Sequence, residues 1–381
     1  MSAYSIPRRF GWTKPVIYSA FLVLGLLPLS AFAVTAPVGA TPGSFAVNQN
    51  GGATYTIPIS VPPGTAGMVP KLVLSYDKQV QNDLLGVGWS VSGLSVIQRC
   101  GATIALDGMK GGVNYDNNDR FCLDGQRLVA INNGVYGANG TEYRTEKETF
   151  IKIISYRDNT TFTGSGPQYF RVTTKSGTVM EYGVTTDSRI EAQDKPTVRV
   201  WALNKVQDTK GNYLTISYFK DTGSTGTGEY RPIRIDYTGN TNASPTLSPY
   251  NSVQFVYGPR TDITPRYEGG SVIKTTQRLT NIKTCTGVTS TQLCTDLGVS
   301  LVRDYQLTYD NNGAVGGSRL IGVTECGSDG VCLPKTSISW TGGTDVWQSV
   351  PDLNSLSPGQ GYTDGNVYPI ITGDWNGDGK T

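Results

Sequence analysis

The sequence predicts an all-β protein, and three observations lead to this prediction. Stretches in which apolar and polar residues alternate recur along the chain, and such alternation places one set of side chains on each face of a strand. Short turns rich in glycine, proline, asparagine and aspartate separate these stretches. After the N-terminal apolar segment, no part of the sequence has the periodicity of an amphipathic helix.

The clearest strand pattern lies between residues 43 and 99. Residues 55–59 and 71–76 alternate, so the two leucines and the tyrosine of the second stretch are expected on one buried face. Between them, the Pro-Pro-Gly run at 62–64 predicts a turn, because proline has no N–H to donate to a sheet. The glycines of residues 85–89 (Leu-Gly-Val-Gly-Trp) indicate a place where the backbone approaches a neighbouring group closely.

Seven further stretches repeat this alternation. In one of them, Leu214, Ile216 and Tyr218 fall on one face, and the preceding turn at 208–212 contains the glycine and asparagine that favour a hairpin. The stretches are 150–156, 170–174, 179–182, 213–218, 233–237, 253–257 and 301–309. Together they predict a protein built from a multi-stranded sheet.

The order of these residues resembles the N-terminal domain shared by SpvB-like virulence-plasmid proteins and the B components of insecticidal toxin complexes. The resemblance is carried by residues 43–45, 53–59, 62–64, 70, 72–76 and 85–89, with Ile97 and Arg99, and continues more weakly through 201–208 and 211–218 to Trp340. It implies an irregular multi-stranded β-sheet shell domain over residues 34–340. A generic β-domain punctuated by glycine and proline is the alternative.

Three segments also resemble the tyrosine-aspartate (YD/RHS) repeats, in which hairpins wind into a hollow shell that encloses a toxic C-terminal segment. They are residues 208–218, where Asp-x-x-Gly-Asn precedes a strand ending in tyrosine, and residues 74–77 and 307–313. The strict period of these repeats is absent here, so the resemblance implies the irregular N-terminal part of such a shell. Ordinary packing between strands explains the 21 tyrosines equally well.

Residues 1–33 have the pattern of a cleavable signal peptide. Arg8, Arg9 and Lys14 precede an apolar run at 16–27, and Ala31-Phe32-Ala33 supplies the small residues of a cleavage site. The run is shorter than the roughly 20 apolar residues that span a bilayer. We therefore expect a secreted, extracellular protein without a membrane span in the mature chain, and an uncleaved anchor is the alternative.

The charge balance gives no reason to expect a nucleic-acid or membrane partner. The chain contains 32 basic and 30 acidic residues, and removal of the three basic residues of the leader leaves 29 against 30. A nucleic-acid-binding surface needs a concentration of positive charge that this composition does not supply.

The chain contains no histidine. Ser-His-Asp and Cys-His catalysis, histidine-ligated zinc and histidine acid/base chemistry are therefore excluded. Glu146-Lys147-Glu148 matches the Glu-x-Glu signature of ADP-ribosyltransferases, an activity carried by a separate domain in some relatives, but two glutamates in an alternating segment are most simply one solvated face. We expect a protein that is not an enzyme.

Six cysteines suit an exported protein, and we interpret them as structural. Pairing of sequence neighbours is the simplest of the possible connectivities. The candidate pairs are Cys100 with Cys122, Cys285 with Cys294, and Cys326 with Cys332. A cysteine-based metal site is not supported, since the spacing has no Cys-x-x-Cys pair and histidine is absent.

Residues 341–381 are expected to form a linker followed by an incomplete repeat. Residues 368–380 combine a short strand with an Asp-x-Asn-x-Asp-Gly loop and resemble an FG-GAP (VCBS-type) repeat, the first, truncated part of a β-propeller. The resemblance implies a Ca²⁺ site with side-chain oxygens from Asp374, Asn376 and Asp378. We expect this site to be incomplete, because the later acidic ligand would follow Thr381; a metal-free turn is the alternative.

The function expected from these resemblances is that of a non-enzymatic shell and scaffold segment in a secreted toxin-complex B or RHS-type protein. Such a segment would help to enclose a C-terminal effector, supplied by the remainder of the same polypeptide or by a toxin partner. It would also dock a translocation component of the A type. The alternative is a secreted adhesin, a β module that binds glycan or protein on a cell surface.

Overall fold

The computed structural model describes residues 39–310 and 317–340. Across these residues, strands joined by turns and bends make up almost the whole chain. The helical exceptions in this part are a three-residue 3-10 turn at Thr65–Gly67 and the four-residue helix α1 (Ile104–Asp107). The prediction of an all-β fold is confirmed.

The first four strands form a small antiparallel sheet, which we call the N-terminal sheet. They follow one another in space as in the sequence: β1 (Ser44–Val47), β2 (Ala53–Pro58), β3 (Val73–Asp77) and β4 (Trp89–Ser92). Leu72 and Leu74 are buried and Tyr76 is half-buried, so the predicted apolar face is present.

The next nine strands build a closed barrel and one short strand beside it. They are β5 (Val96–Cys100), β6 (Arg120–Leu123), β7 (Gln126–Ala130), β8 (Glu142–Thr145), β9 (Lys152–Tyr156), β10 (Tyr169–Thr173), β11 (Val179–Tyr182), β12 (Arg189–Glu191) and β13 (Val198–Gln207). β5 to β11 pair in sequence order, and β12 pairs only with β13.

The ten-residue strand β13 closes the barrel and also continues beyond it. Its first half pairs with β5, where Trp201 lies opposite Ile97, and its second half pairs with β11, where Val206 lies opposite Met180. Eight strands therefore form a closed antiparallel ring. The same second half pairs with the next strand along the chain, so one strand belongs both to the barrel and to the sheet that follows.

Aromatic side chains fill the barrel. The ring of Phe121 lies 5.4 Å from that of Phe170 and 5.3 Å from that of Trp201, in both cases edge to face. Tyr143 packs on the same group, and all four side chains are buried. A barrel of about eight strands has an interior that side chains can fill completely, so this part is a packed core.

The remaining strands form a long antiparallel sheet that we call the wall, together with a separate hairpin. The wall runs from β13 through β14 (Asn212–Asp221), β15 (Glu229–Asn240), β16 (Asn251–Pro259), β19 (Gln277–Thr286), β20 (Ser300–Asp310) and β21 (Arg319–Gly327) to β22 (Thr336–Ser337); the hairpin is β17 (Arg266–Glu268) with β18 (Ser271–Ile273).

The wall packs one face against the N-terminal sheet. The hydroxyl of Tyr237 donates a hydrogen bond to the carbonyl oxygen of Pro62 (2.7 Å), and the hydroxyl of Tyr305 accepts one from the N–H of Ser60 (2.9 Å). The predicted turn at 62–64, together with Ser60 just before it, is thus held on the wall by two fully buried tyrosines. This contact makes the two sheets one hydrophobic core.

The strands predicted from alternation coincide with observed ones, with shifted ends. The strand predicted at 150–156 shows the clearest shift, because β9 begins only at Lys152. Phe150 has φ = 58°, a left-handed conformation that ends the preceding turn. The stretch 71–76 likewise becomes a strand from Val73, and the wall strands are longer than predicted.

Candidate functional surface

The face of the wall that points away from the N-terminal sheet is hydrophilic. Arg234, Gln254, Lys283 and Asp304 lie directly opposite one another on four neighbouring strands. The ammonium of Lys283 lies 3.1 Å from the carboxylate of Asp304. Because opposite charges face each other across the strands, this row of side chains stabilises the register of the wall. It also makes this face of the wall polar.

A disulfide-closed loop folds over part of this hydrophilic face. The disulfide Cys285–Cys294 closes it at the end of β19, with a Cα–Cα distance of 5.5 Å. The side chain of Gln254 donates to the carbonyl oxygen of Gln292 and accepts from the N–H of Cys294, both at 2.9 Å. Gln254 is consequently 5% exposed although it lies on the polar face.

The other two disulfides also join sequence neighbours. Cys100–Cys122 links β5 to β6 in the barrel, and Cys326–Cys332 closes the turn that follows β21. No free cysteine remains among the residues that the structure describes. All six candidate cysteines therefore serve as local cross-links at strand ends and turns.

A partly buried polar cluster ties the loop just before the Leu-Gly-Val-Gly-Trp segment to the wall, and we call it the Asp262 cluster. The carboxylate of Asp262 accepts hydrogen bonds from Arg260 (2.7 Å), Asn82 (2.8 Å) and the backbone N–H of Ser318 (2.5 Å). Arg260 also donates to the carbonyl oxygen of Asp83 (2.7 Å). Burial alone would raise the pKa of Asp262, but these hydrogen bonds outweigh it and hold that pKa well below its usual range.

Sequence reasoning missed this cluster, although it did point to the adjacent glycines. Gly86 has φ = 82°, and a Cβ there would lie 2.2 Å from the carbonyl oxygen of Ser318. The backbone at Gly86 thus approaches a neighbouring group closely, as predicted. That group is the backbone of Ser318, which directly precedes β21. The Arg-x-Asp pair at residues 260 and 262 was the only sign of this cluster that the sequence offered. The residues that contact the pair, Asn82 and Ser318, lie far away in the sequence.

A second buried charge closes one end of the barrel. The Arg99 guanidinium donates to the carbonyl oxygens of Val198 and Ser165, both at 2.7 Å, and to the carboxylate of Asp119 at 2.9 Å. Burial lowers the pKa of Arg99, against the opposing effect of Asp119. This residue, one of those that carry the family resemblance, therefore has a structural role.

Within residues 39–310 and 317–340, no group of side chains has the arrangement of a catalytic site. Glu146 and Glu148 are exposed in the turn between β8 and β9, apart from the main cavities. Burial raises the pKa of Tyr136, Tyr182 and Tyr237, so these hydroxyls stay protonated at neutral pH. No group of three or more acidic or cysteine side chains in the described part is placed to hold a metal ion.

Two cavities adjoin the N-terminal sheet. One, of about 220 Å³, lies between that sheet and β14–β15 and is lined by Trp89, Tyr218 and Tyr230. The other, of about 410 Å³, is an open apolar groove between the N-terminal sheet and the last described strand, lined mainly by Tyr55, Tyr76, Trp89, Ile338 and Trp340. We call this second cavity the aromatic groove.

Several predicted features lie outside the described residues. These are the signal peptide at 1–33, the linker and propeller-type repeat at 341–381, and the candidate calcium ligands Asp374, Asn376 and Asp378. Within the described part, no helix has the length and apolar character needed to cross a bilayer.

Comparison with known proteins gives a family and a fold. The family model SpvB, described as the Salmonella virulence plasmid 65kDa B protein, matches residues 47–262, which is more than half of the chain. No curated protein matches the sequence.

Three solved structures illustrate the likeness in fold. The TcdB2-TccC3 crystal structure has 18% identity and a TM-score of 0.62, covering 80% of this chain and 17% of that chain. A mutant Tc holotoxin pore from Photorhabdus luminescens has 21% identity and a TM-score of 0.62, covering 82% and 17%. The N-terminal domain of the effector protein SpvB from Salmonella typhimurium strain LT2 has 18% identity and a TM-score of 0.56, covering 71% and 98%.

The extent of these matches differs between the relatives. This chain spans about a sixth of the length of the two toxin chains, of which it covers 17%. By contrast, it covers nearly all of the N-terminal domain structure. At these identities, the likeness concerns the fold.

Proposed function

The chain belongs to the SpvB family, and from that premise we propose that it is a non-enzymatic shell and scaffold segment of a secreted toxin-complex B or RHS-type protein. In this proposal, the wall forms one part of an enclosure around a C-terminal effector. The effector is supplied by the remainder of the same polypeptide or by a toxin partner.

One observation carries the proposal: a single antiparallel sheet leaves the barrel through β13 and extends through seven further strands with two chemically different faces. One face is apolar and covered by the N-terminal sheet. The other carries the row from Arg234 to Asp304. A sheet with one covered and one hydrophilic face is the unit from which an extended enclosure can be built, because further strands can be added at its edge.

The cross-links fit this role because an enclosure must not open locally. The Asp262 cluster joins the N-terminal sheet region to β21, and a disulfide holds the loop at the end of β19. A disulfide that closes a loop of this length is expected to add about 2–4 kcal/mol to the free energy of unfolding, mainly by restricting the conformations of the unfolded chain. The cross-links lie where strands meet turns, which are the places at which a sheet frays first.

Docking to a translocation partner is assigned to the segment after Trp340. The linker and incomplete propeller-type repeat at 341–381 would contribute to this contact, with Ca²⁺ held by Asp374, Asn376 and Asp378 where a further acidic ligand completes the site. Terbium luminescence tests the ion: the polypeptide extended past Thr381 should bind, and Asp374→Ala should abolish the signal. Equal binding by the Asp374→Ala variant contradicts this assignment.

Protease protection of the effector tests the enclosure. In a polypeptide that carries both this chain and the effector, deletion of residues 43–340 should leave the effector open to a protease that the intact protein resists. The matched control is Glu148→Gln, an exposed change in a turn, which should leave protection intact. If the deletion leaves the effector equally protected, the enclosure proposal is wrong.

Direct binding tests the adhesin alternative. Purified residues 34–381 should bind poorly to cells if the chain is part of a shell, and saturable binding to a cell surface would favour the adhesin instead. Secretion is tested separately by the N-terminal sequence of the exported protein, which should begin at Val34. A product that retains Met1 would contradict a cleaved signal peptide.

A further inference from the structure

The smaller cavity beside the N-terminal sheet, which we call the Trp89 cavity, is bounded by three parts of the molecule. Trp89 belongs to β4 of the N-terminal sheet, Tyr218 and Tyr230 belong to β14 and β15 of the wall, and Ile273 belongs to the hairpin β17–β18. The volume of about 220 Å³ lies just below the range of roughly 300–1,000 Å³ that drug-sized ligands occupy. The cavity therefore has room for one smaller molecule.

Aromatic rings supply much of the apolar lining of the Trp89 cavity. Trp89 and Tyr218 are buried, and Tyr230 is half-buried. The hydroxyl of Tyr218 already donates to the carbonyl oxygen of Leu203 (2.8 Å), so this residue offers its ring to the cavity. Burial raises the pKa of Tyr230, so its hydroxyl stays protonated at neutral pH and can donate a hydrogen bond.

Two buried polar atoms of the lining residues have no hydrogen-bond partner among the residues that the structure describes. They are the indole N–H of Trp89, which is 1% exposed, and Oε1 of Glu229, which is 3% exposed. The other carboxylate oxygen of Glu229 accepts from the hydroxyl of Thr276. Because unpaired buried polar groups cost free energy, a molecule that both donates and accepts hydrogen bonds would be favoured here.

The charges around the Trp89 cavity balance one another. The guanidinium of Arg231 lies 3.2 Å from Oε1 of Glu229, and the remaining charged residues of the lining are Asp83 and Arg266. An ammonium ligand would meet the positive charge of Arg266, and a carboxylate or phosphate ligand would meet the negative charge of Asp83. The lining is therefore matched best by an uncharged ligand.

We propose that the Trp89 cavity binds one uncharged sugar ring, either a free monosaccharide or the terminal residue of a glycan. The C–H groups of such a ring pack against aromatic faces. Its hydroxyls both donate and accept, so they can pair with the carboxylate of Glu229 and with the donors of Trp89 and Tyr230. An apolar ligand would leave these groups unpaired. Arg266 is the exposed residue of the lining and marks the opening to solvent. This inference does not depend on the shell function.

Saturation-transfer NMR on the full chain tests the site, with glucose, galactose, mannose, fucose and N-acetylglucosamine as probes. At least one of these sugars should bind saturably in the millimolar range. It should also raise the melting temperature, because the ligand contacts the N-terminal sheet and the wall of the folded protein only. The amino sugar and the uronic acid that correspond to the bound sugar add a positive and a negative charge, and each should bind at least about tenfold more weakly.

A matched pair of variants locates the binding. Tyr230→Phe removes one hydroxyl from the cavity and keeps the ring, so it should weaken sugar binding roughly three- to tenfold. Tyr267→Phe is the control, since Tyr267 is an exposed tyrosine of the adjacent hairpin that does not line the cavity, and it should leave the affinity unchanged. Equal effects of the two changes would overturn the assignment of the sugar to this cavity.

The remaining outcomes are equally decisive. Failure of all five sugars to bind would mean that water alone fills the cavity, and would overturn the proposal. Binding of a charged analogue, or of alanine as a zwitterion, as tightly as the neutral sugar would also overturn it. The methyl glycoside of the bound sugar separates the two sources: retained affinity identifies the end of a glycan and lost affinity identifies a free sugar, and both results support the site.

Discussion

The side-chain amide of Asn82 donates a hydrogen bond of 2.8 Å to the carboxylate of Asp262, a residue 180 positions later in the chain. This contact joins the loop between β3 and β4 to the loop that follows β16. The buried guanidinium of Arg260 completes the cluster by contacting the same carboxylate. The N-terminal sheet is thereby held to the wall by polar as well as apolar contacts.

Asp262→Asn should destabilise the protein by on the order of 3 kcal/mol, because it leaves the buried charge of Arg260 without its carboxylate partner. Urea unfolding followed by tryptophan fluorescence measures the loss. Glu148→Gln, an exposed change in the turn between β8 and β9, is the control and should shift the midpoint little. A loss below about 1 kcal/mol for Asp262→Asn would show that the cluster contributes little.

Acid should weaken the same cluster. The pKa of Asp262 lies well below its ordinary value of 3.8 in the folded protein, so its contribution to stability is present above that value and is lost as the pH falls toward the folded pKa. Unfolding free energies measured from pH 7 down to strongly acidic conditions should therefore decline more steeply for the unmodified protein than for Asp262→Asn. Parallel curves for the two proteins would contradict this explanation.

Gly86→Ala should be more damaging than a glycine-to-alanine change in an equally left-handed position. Its Cβ would lie 2.2 Å from the carbonyl oxygen of Ser318, whereas Gly108, with φ = 69°, has nothing within 4 Å of that position. Both changes bear the conformational cost of about 1 kcal/mol, and only Gly86→Ala adds a steric clash. Thermal unfolding of the two variants isolates the clash, and equal melting temperatures would rule it out.

Phe121→Ala should cost about 3–5 kcal/mol, because it removes the ring at the centre of the packed barrel and leaves a cavity. Phe121→Leu retains part of the volume and should cost less. Chemical unfolding of the two variants measures the difference. Near-equal stabilities would mean that the barrel relaxes around the missing ring.

Replacement of Cys285 and Cys294 by serine should free the loop that covers Gln254. Leu297, three residues after the loop-closing Cys294, is 98% exposed, but a protease needs a longer segment in extended form, which the disulfide prevents. Chymotrypsin should therefore cleave the double variant at Leu297 faster than the unmodified protein. The Cys326 and Cys332 double serine variant is the control, since its turn lies elsewhere, and the same acceleration there would point to general loosening.

The sequence predicted the fold class and many strands, because alternation and turn residues are local signals. Leu72 and Leu74, for instance, are buried as the alternation requires. Barrel closure could not be predicted, since it depends on β13 pairing with β5 and β11 at once, and no local pattern encodes a strand that pairs with four others. Short strands such as β6 and β12 were missed because three or four residues give too little alternation to detect.

The candidate site was predicted less completely than the fold. The six cysteines and the tight approach at Gly86 follow from residue type and spacing. The Asp262 cluster does not, since Asn82, Arg260 and Ser318 meet only after the two sheets have packed. Polar contacts between distant segments depend on the tertiary fold. From the sequence alone, only the charged residues that make such contacts can be recognised as candidates.

Electron cryomicroscopy of the natural full-length protein would test the central claim most directly. The account predicts that residues 44–340 form part of a continuous closed wall, with further strands added beyond β22 and density for an enclosed polypeptide on one side. A structure in which these residues form a detached β-domain, with no enclosed chain and no continuation of the wall, would contradict it.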